Sequence, residues 1–345
     1  MSHANISGPR AVASQDANVD MAARALWYVA PGEAAILPVT LPALGPGQAR
    51  VKTLFSGLSR GTERLVFTGR IPPSEYETMR APMQEGAFPY PVKYGYCAVG
   101  IIADGPKDWL GRHVFALHPH QSAFVADVAM LRPIPQALPP RRAILSANME
   151  TALNALWDSG AGPGDRILVV GAGMLGLLTA CLCARLPGAD VTVVDLDPDR
   201  RALAESFGAR FVCASDWAAQ GRNDFDVVFH ASASAPGLAL ALNAAGLEAS
   251  VVELSWYGAG DVPAPLGGAF HSRRLRLVST QVGHVSPSRR PRWDYARRIA
   301  KAMDLLCDDR LDALIDRDVA FEDMPDAMGE IFAAGAKGLG IVVGY

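Results

Sequence analysis

Two short apolar runs, separated by a glycine-rich turn and a helical stretch, form the clearest pattern along the chain. Residues 167–170 and 191–194 have branched and, except for Thr192, apolar side chains, and each run is short enough for a strand buried on both faces. Between them, the glycine-rich residues 171–176 are followed by an alanine- and leucine-rich stretch to about Arg185. The second run ends in Asp195. This order predicts a strand, a tight turn, a helix and a parallel strand.

The alternation of strand and helix patterns continues beyond Asp195. Apolar runs with polar boundaries predict further strands, and alanine- and leucine-rich segments predict helices between them. The predicted strands are 210–213, 226–230, 249–254 and 275–279, and the predicted helices are 200–207 and 237–245. Six strands with intervening helices indicate an α/β fold built on a Rossmann-type, doubly wound parallel sheet.

The residues on either side of this region follow a different pattern, in which short apolar runs are divided by Pro and Gly. Such runs are typical of a compact β-rich domain. The runs that predict its strands include 25–29, 34–37, 49–54, 318–321 and 340–343, and helices are predicted at 143–159 and 293–307. The expected division is a disordered arm at 1–22, a β-rich catalytic domain at 23–148 and 296–345, and a dinucleotide-binding domain at 149–295. The long irregular segment 69–92 is expected to form a wall of the substrate cleft.

The glycine-rich turn has the residues that bind a dinucleotide. Gly171 permits the tight turn, Gly173 lets the backbone approach a pyrophosphate, and Gly176 lets the helix pack closely on the strand. Asp195 follows about 20 residues later, where a carboxylate can accept both ribose hydroxyls and would repel the 2′-phosphate of NADP. We therefore expect NAD as the cofactor. The predicted cofactor contacts are Thr151, Gly171, Gly173, Met174, Leu175, Gly176, Asp195 and Arg200.

Composition excludes several classes of partner. A net charge of −3 gives no reason to expect nucleic acid or an anionic membrane surface. The five cysteines are scattered and do not form a disulfide framework, which favours a reducing compartment. No apolar run reaches the length of a transmembrane helix, and the N-terminus lacks the pattern of a signal peptide. We expect a cytoplasmic, soluble protein that acts on a small-molecule substrate.

A β-rich domain, an inserted six-stranded nucleotide domain and a short return segment resemble the medium-chain dehydrogenase/reductase superfamily, whose β-rich domain is GroES-like. The resemblance covers the chain from Ala25 onward. The family phrase Gly-Ile-Cys-Gly-Thr-Asp corresponds to residues 57–63, with Ser59 where the first catalytic zinc ligand is expected. Tyr96 and Ala147 stand at the other two ligand positions, and the structural zinc lobe has no counterpart. Because these side chains cannot hold zinc, we expect a zinc-free member with no metal.

Within that superfamily, the phrase at residues 56–63 resembles the bacteriochlorophyllide dehydrogenases. Those enzymes use NAD to oxidise a hydroxyethyl side chain on a large planar ring. The resemblance implies an NAD(H)-dependent oxidoreductase that interconverts a secondary alcohol and a ketone, on a substrate that the sequence does not identify. It also implies a homodimer that pairs through the strand at 275–279, which is an exposed edge in need of a partner.

Without zinc, side chains must polarise the substrate oxygen and move its proton. Tyr96 occupies a family ligand position, and Lys93 is close enough in sequence to depress its pKa. Thr62 and Glu63 match family positions at the cleft floor, and His120 falls on a bordering loop. We therefore predict Tyr96, His120, Glu63 and Thr62 as catalytic residues. The alternatives are that Tyr96 fills the space left by the metal and that Glu63 caps a helix.

The remaining histidines and a basic cluster have simpler interpretations. His118 and His120 form a His-x-His pair, but no third metal ligand is evident. His230 ends a predicted central strand, and we expect it to be structural. The arginines at 273, 274 and 276 either face solvent or meet an acidic group of the substrate.

Two other functions remain open at this point. One is a zinc-free enoyl or quinone reductase, although such enzymes mostly use NADPH, which Asp195 would disfavour. The other is a non-catalytic NAD-binding protein descended from a dehydrogenase, which the loss of the zinc ligands would permit.

Overall fold

The structure, a computed structural model, describes residues 22–345. The expected N-terminal arm lies outside the described residues except for Ala22, which begins the first strand. Within 22–345, the strands form one parallel sheet of six strands and two further sheets that we call the small sheet and the mixed sheet. This arrangement confirms the predicted combination of a doubly wound parallel sheet with a β-rich domain.

The β-rich part comes first in the chain and alternates short strands with turns. Its strands are β1 (Ala22–Ala30), β2 (Glu33–Thr40), β3 (Gln48–Leu58), β4 (Glu85–Gly86), β5 (Val92–Lys93), β6 (Ala98–Asp104), β7 (His113–Ala116), β8 (Ala123–Asp127) and β9 (Arg132–Pro133). The small sheet has the order β2-β1-β5-β4, and the remaining five strands belong to the mixed sheet. β3 is longer than predicted, because residues 56–58, expected in a loop, continue its pairing with β6 and with the C-terminal strand.

The parallel sheet follows the classical nucleotide-binding order. Its strands are β10 (Arg166–Val170), β11 (Asp190–Asp195), β12 (Arg210–Cys213), β13 (Phe225–His230), β14 (Ala245–Glu253) and β15 (Arg276–Ser279). They lie in the order β12-β11-β10-β13-β14-β15. Successive strands are added on one side of β10 up to β12 and on its other side from β13, so the strand order reverses between β10 and β13. Ligands of such sheets bind outside the carboxyl ends of the strands at this switch point.

Alternating residues of β10 bury against opposite layers. Ile167 and Val169 belong to the apolar cluster on one face, and Leu168 and Val170 belong to the cluster on the other. A strand covered on both faces must be apolar at every position, which explains its uninterrupted run. The helices of the described chain are α1 (Thr62–Phe67), α2 (Pro140–Ala143), α3 (Ser146–Ser159), α4 (Met174–Cys183), α5 (Arg201–Ser206), α6 (Trp217–Gln220), α7 (Ala235–Ala244), α8 (Tyr295–Leu305) and α9 (Met324–Ile331).

The chain returns to the β-rich part at its C-terminal end, as predicted. β16 (Ile315–Ala320) and β17 (Gly340–Gly344) extend the mixed sheet, and β17 pairs antiparallel with β3. This return places the two parts side by side. An ideal Cβ on Gly340 would lie 3.0 Å from Met174 Cε, at the start of α4. Elsewhere, Ala259 N of the loop after β14 donates to Arg70 O of the β-rich part at 2.9 Å. The carboxyl edge of the parallel sheet therefore opens onto the junction between the two parts.

None of the helices in residues 22–345 combines the length and the apolar character that crossing a bilayer requires.

Candidate active site

The turn after β10 has the close approaches that a dinucleotide fingerprint requires. Gly171 has φ +107°, and an ideal Cβ there would lie 2.9 Å from Ser232 N. A Cβ on Gly176 would lie 1.8 Å from Gly171 O, whereas one on Gly173 would meet no atom within 4 Å. The first and third glycines are thus required by packing, and the second leaves open space beside the start of α4. This cradle fits a pyrophosphate bound at a helix N-terminus.

Asp195 is fixed directly beside this turn. Its Oδ2 accepts a hydrogen bond from Ala172 N at 2.6 Å, and its Oδ1 accepts one from Asp197 N at 2.8 Å. Each carboxylate oxygen has two acceptor sites, so acceptor capacity remains for hydroxyl groups. The structure therefore brings Asp195 to the glycine turn, as the sequence pattern predicts.

Two other predicted cofactor contacts are engaged within the protein. Arg200 lies 3.4 Å from Asp197 Oδ2 and donates to Gly338 O at 3.4 Å, so it faces the junction. Thr151 donates to Ala147 O at 2.9 Å within α3. Sequence reasoning missed Arg60, whose guanidinium donates to the carbonyls of Ala336 and Gly338. Burial, together with the charge of Arg200, lowers the pKa of Arg60.

Tyr96 lies between the two parts of the molecule. Its half-buried ring packs against both the apolar cluster that includes β10 and the cluster of the small sheet. The side chains of Ser59 and Thr62 lie near enough to its hydroxyl to lower its pKa in part. Burial raises the pKa of Tyr96 well above its usual value, with smaller contributions from Cys97 and Glu63. Tyr96 is therefore neutral at pH 7, and its hydroxyl can donate to an oxygen atom.

The predicted pairing of Tyr96 with Lys93 is wrong. Lys93 Nζ donates to Gln121 Oε1 at 2.6 Å and forms an ion pair with Glu85. Lys93 is the last residue of β5, and Tyr96 follows three residues later. The Lys93 side chain extends to Gln121 and Glu85 and not to Tyr96. The sequence suggested that Lys93 would lower the pKa of Tyr96, but in the structure burial raises it.

Glu63 and His120 form a buried hydrogen-bonded network behind Tyr96. The Glu63 carboxylate accepts from Ser59 N at 2.8 Å and from Tyr28 Oη at 2.7 Å, and it lies 2.9 Å from His120 Nε2. Glu63 is 0% exposed and His120 is 1% exposed. Two of the predicted catalytic residues are thus in contact, but both lie beneath the surface that a substrate could reach.

The other ring nitrogen of His120 connects this network to the end of the chain. His120 Nδ1 lies 2.7 Å from Ser56 Oγ, which lies 2.9 Å from Tyr345 Oη. Tyr345 stacks on Phe321 with ring centroids 4.5 Å apart. Sequence reasoning missed Ser56 and Tyr345, and only the pairing of β3 with β17 brings Tyr345 to Ser56.

A row of aromatic rings runs from the long irregular segment to Tyr96. The centroid distances are 5.9 Å from Tyr76 to Phe88, 5.6 Å from Phe88 to Tyr94, and 6.1 Å from Tyr94 to Tyr96. The same segment contacts the other side of the junction through Arg70 O. Tyr76 and Phe88 of residues 69–92 thus connect to Tyr96 through the buried ring of Tyr94.

The metal-ligand positions hold no ligand set in the described residues. In 22–345, no three His, Cys, Asp or Glu side chains converge on a common point. The Cys97 thiol contacts the Ala147 backbone, and burial raises its pKa well above the usual value. His118 stacks on Phe124 at 3.8 Å, and burial lowers its pKa to about 3, so its ring is neutral and bonded to Pro119 O.

Comparisons with known proteins agree with this architecture. The family described as zinc-binding dehydrogenase matches residues 175–301. A 2-desacetyl-2-hydroxyethyl bacteriochlorophyllide A dehydrogenase from Rhodobacter capsulatus is 30% identical over 215 residues, which cover 56% of this chain and 60% of that protein. The match thus spans less than two thirds of that relative's length.

Solved structures share the fold over almost the whole chain. A putative zinc-binding dehydrogenase from Sinorhizobium meliloti, bound to NADP, superposes with a TM-score of 0.76 at 19% identity, covering 94% of this chain and 99% of that one. An alcohol dehydrogenase from Escherichia coli complexed with NADH gives 0.74 at 16% identity, covering 94% and 100%. The sheets and glycine turn define a Rossmann unit joined to a GroES-like β-rich unit. The chain shares the fold of these dehydrogenases.

Proposed function

We propose that this protein is an NAD(H)-dependent oxidoreductase that interconverts a secondary alcohol and a ketone without zinc. The observation that carries the proposal is the neutral hydroxyl of Tyr96, whose ring packs between the two units and which lies near Ser59 and Thr62. These three residues replace a metal centre with hydrogen-bond donors. The absence of a convergent ligand set in residues 22–345 supports the same interpretation.

In the proposed mechanism, the hydroxyl of Tyr96 binds the substrate oxygen. A nicotinamide cofactor, when bound, would supply or accept the hydride at the neighbouring carbon. During ketone reduction, Tyr96 donates the proton that the oxygen acquires, and the Ser59 and Thr62 hydroxyls orient the phenol. Glu63 and His120 hold the loop that carries Ser59, because the Glu63 carboxylate accepts the Ser59 N–H. They act as positioning residues.

We propose a ring-containing substrate whose reacting carbon lies on a side chain. Of the aromatic rings in this row, Tyr76 and Tyr96 are partly exposed and could contact a flat, apolar ring, whereas Phe88 and Tyr94 are buried behind them. The relative from Rhodobacter capsulatus is named for a bacteriochlorophyllide, which is consistent with such a substrate class.

The wild-type protein is expected to bind NADH more tightly than NADPH by roughly 2–4 kcal/mol, or about 30- to 1000-fold. The Asp195 carboxylate beside the glycine turn would repel a 2′-phosphate. Asp195→Asn keeps an acceptor oxygen but removes the charge. It should reduce the ratio of NADH affinity to NADPH affinity. Fluorescence titration with both cofactors measures this.

Asp199→Asn is the matched control for Asp195→Asn. It removes the same charge four residues away, on an exposed side chain paired with Lys337, and it should leave the preference unchanged. Equal or tighter binding of NADPH by the wild type would contradict the NAD proposal and would favour the enoyl or quinone reductase alternative.

We also propose a homodimer formed through β15. This strand is the edge of the parallel sheet, and Leu277 on it is 41% exposed, with Leu247 of the neighbouring strand 74% exposed. Light scattering at micromolar concentration should give twice the chain mass. Leu277→Lys should give the monomer mass, whereas Leu110→Lys, at a comparably exposed site on the β-rich unit, should not. A wild-type monomer would contradict the proposal.

A further inference from the structure

A second carboxylate lies at the carboxyl edge of the parallel sheet, on the other side of the switch point from Asp195. Glu253 is the last residue of β14, and its Oε2 lies 2.6 Å from Nδ1 of His230, the last residue of β13. Tyr257 Oη also donates to Glu253 Oε2, at 3.0 Å. The His230 side chain is 0% exposed, whereas that of Glu253 is 16% exposed. Of this ion pair, Glu253 is therefore the member that a ligand can reach.

The position of Glu253 in the sheet corresponds to that of Asp195. A doubly wound nucleotide fold consists of two mononucleotide-binding halves that meet at the switch point. β10 and β13 are the central strands of the two halves, and β11 and β14 are their outer neighbours. Asp195 ends β11, and Glu253 ends β14. Each carboxylate therefore stands one strand away from the switch point, at the edge where the dinucleotide lies.

The hydrogen bonds of the two carboxylates follow the same scheme. Asp195 accepts from the backbone N–H two residues later, Asp197, and from the end of its central neighbour through Ala172 N. Glu253 accepts from Ser255 N, also two residues later, at 2.8 Å, and contacts its central neighbour through His230. Burial alone would raise the pKa of Glu253, but hydrogen bonds from His230 and Ser255 and the field of His230 lower it overall. Oε1 keeps acceptor capacity for a ligand hydroxyl.

The same residues could be interpreted as a hydrolytic triad, because Ser232 Oγ lies 2.7 Å from His230 Nε2. The packing of α7 contradicts this interpretation. An ideal Cβ on Gly237 would lie 2.2 Å from Ser232 Oγ and 2.8 Å from His230 Nε2, so the helix covers the hydroxyl. Ser232 is thus part of the N-terminal packing of α7, and His230 connects this packing to Glu253. His230 orients the carboxylate.

We propose that Glu253 binds the ribose hydroxyls on the nicotinamide side of the cofactor, as Asp195 binds those on the adenosine side. The inference rests on the proposed use of NAD(H). The loop after Glu253 reaches the β-rich unit through Ala259 N and Arg70 O, so the bound ribose lies at the junction that contains Tyr96. Sequence reasoning assigned His230 a purely structural role, because its partner comes from the next strand.

Binding of three probes by calorimetry tests the inference without turnover. ADP lacks the second ribose, whereas ADP-ribose and NADH contain it. Glu253→Gln should weaken ADP-ribose and NADH by about tenfold, the size expected for a hydrogen bond to a charged group, and should leave ADP unchanged. Asp195→Asn should weaken all three probes. Glu248→Gln is the control, because it removes the same charge from an exposed side chain on β14 that pairs with Arg274, and the expected change is under about threefold in every case.

A ligand-side measurement covers the case in which Glu253→Gln fails to fold. The wild type should bind an NADH analogue with a 2′,3′-dideoxy nicotinamide ribose about tenfold more weakly than NADH. Equal binding of the analogue, or an unchanged ratio of ADP-ribose to ADP affinity in a folded Glu253→Gln variant, would overturn the inference alone. Failure of the wild type to bind either NADH or ADP-ribose would overturn the proposed function as well.

Discussion

Tyr96→Phe is expected to lower kcat/KM for NADH-dependent ketone reduction by about 10²–10⁴, or roughly 3–5 kcal/mol of barrier. The substitution removes only the hydroxyl that we propose binds the substrate oxygen, and it keeps the ring that packs against both units. NADH affinity should stay the same, because the proposed cofactor contacts are the glycine turn and Asp195. Steady-state kinetics together with NADH titration measure both quantities.

The pH dependence gives a second expectation for Tyr96. Because its pKa is raised, the phenol stays protonated above pH 10, the usual midpoint of tyrosine ionisation. Reduction should therefore not lose its acid between pH 7 and 10. A fall in the kcat of the wild type with a midpoint near pH 8, absent from Tyr96→Phe, would contradict the raised pKa of Tyr96.

Three further variants separate the roles in this network. Tyr94→Phe is the matched control, since Tyr94 is the buried ring next to Tyr96, and it should keep nearly full activity. Glu63→Gln and His120→Gln should have smaller effects than Tyr96→Phe, and these effects should accompany a loss of thermal stability, because both residues are positioning groups. If Tyr96→Phe retains turnover while His120→Gln abolishes it, the histidine is the proton carrier.

Gly176→Ala is expected to abolish measurable NADH binding and to destabilise the fold by several kcal/mol, more than the ~1–3 kcal/mol of ordinary overpacking. The added Cβ would lie 1.8 Å from Gly171 O, and backbone cannot move aside as a flexible side chain can. Thermal unfolding and NADH titration measure the two effects.

Gly173→Ala separates cofactor binding from folding. Its Cβ would meet no protein atom within 4 Å, so stability should stay near that of the wild type while NADH affinity falls, because the methyl enters the space for the pyrophosphate. Gly329→Ala is the control, because Gly329 lies in α9 and a Cβ there would also meet no atom within 4 Å. It should lower neither the thermal stability nor the NADH affinity. Unchanged NADH binding by Gly173→Ala would contradict the position of the cofactor.

The fold could be predicted from the sequence because its main signals are local. The glycine turn, the apolar runs and Asp195 all lie within about 30 consecutive residues of a βαβ unit. Boundaries were less accurate where capping decides them. The helix predicted from residue 293 begins at Tyr295, because Asp294 accepts the Arg297 N–H as its N-cap.

The site was only partly predictable, because its contacts join distant parts of the chain. Tyr345 reaches the His120 network only through the pairing of β17 with β3, and neighbouring residues do not indicate this. Glu253 and His230 meet because β13 and β14 are adjacent and in register. Lys93 shows the reverse error. Its proximity to Tyr96 in sequence suggested a contact, but its ammonium extends to Glu85 and Gln121.

The most direct test of the account is NADH turnover by metal-depleted protein, with zinc content determined on the same sample. The substrates are planar aromatic rings bearing an acetyl group, and the readout is the loss of NADH fluorescence. The account predicts turnover at substoichiometric zinc that added zinc does not increase, and its loss in Tyr96→Phe. Turnover that appears only when about one zinc per chain is bound would contradict it.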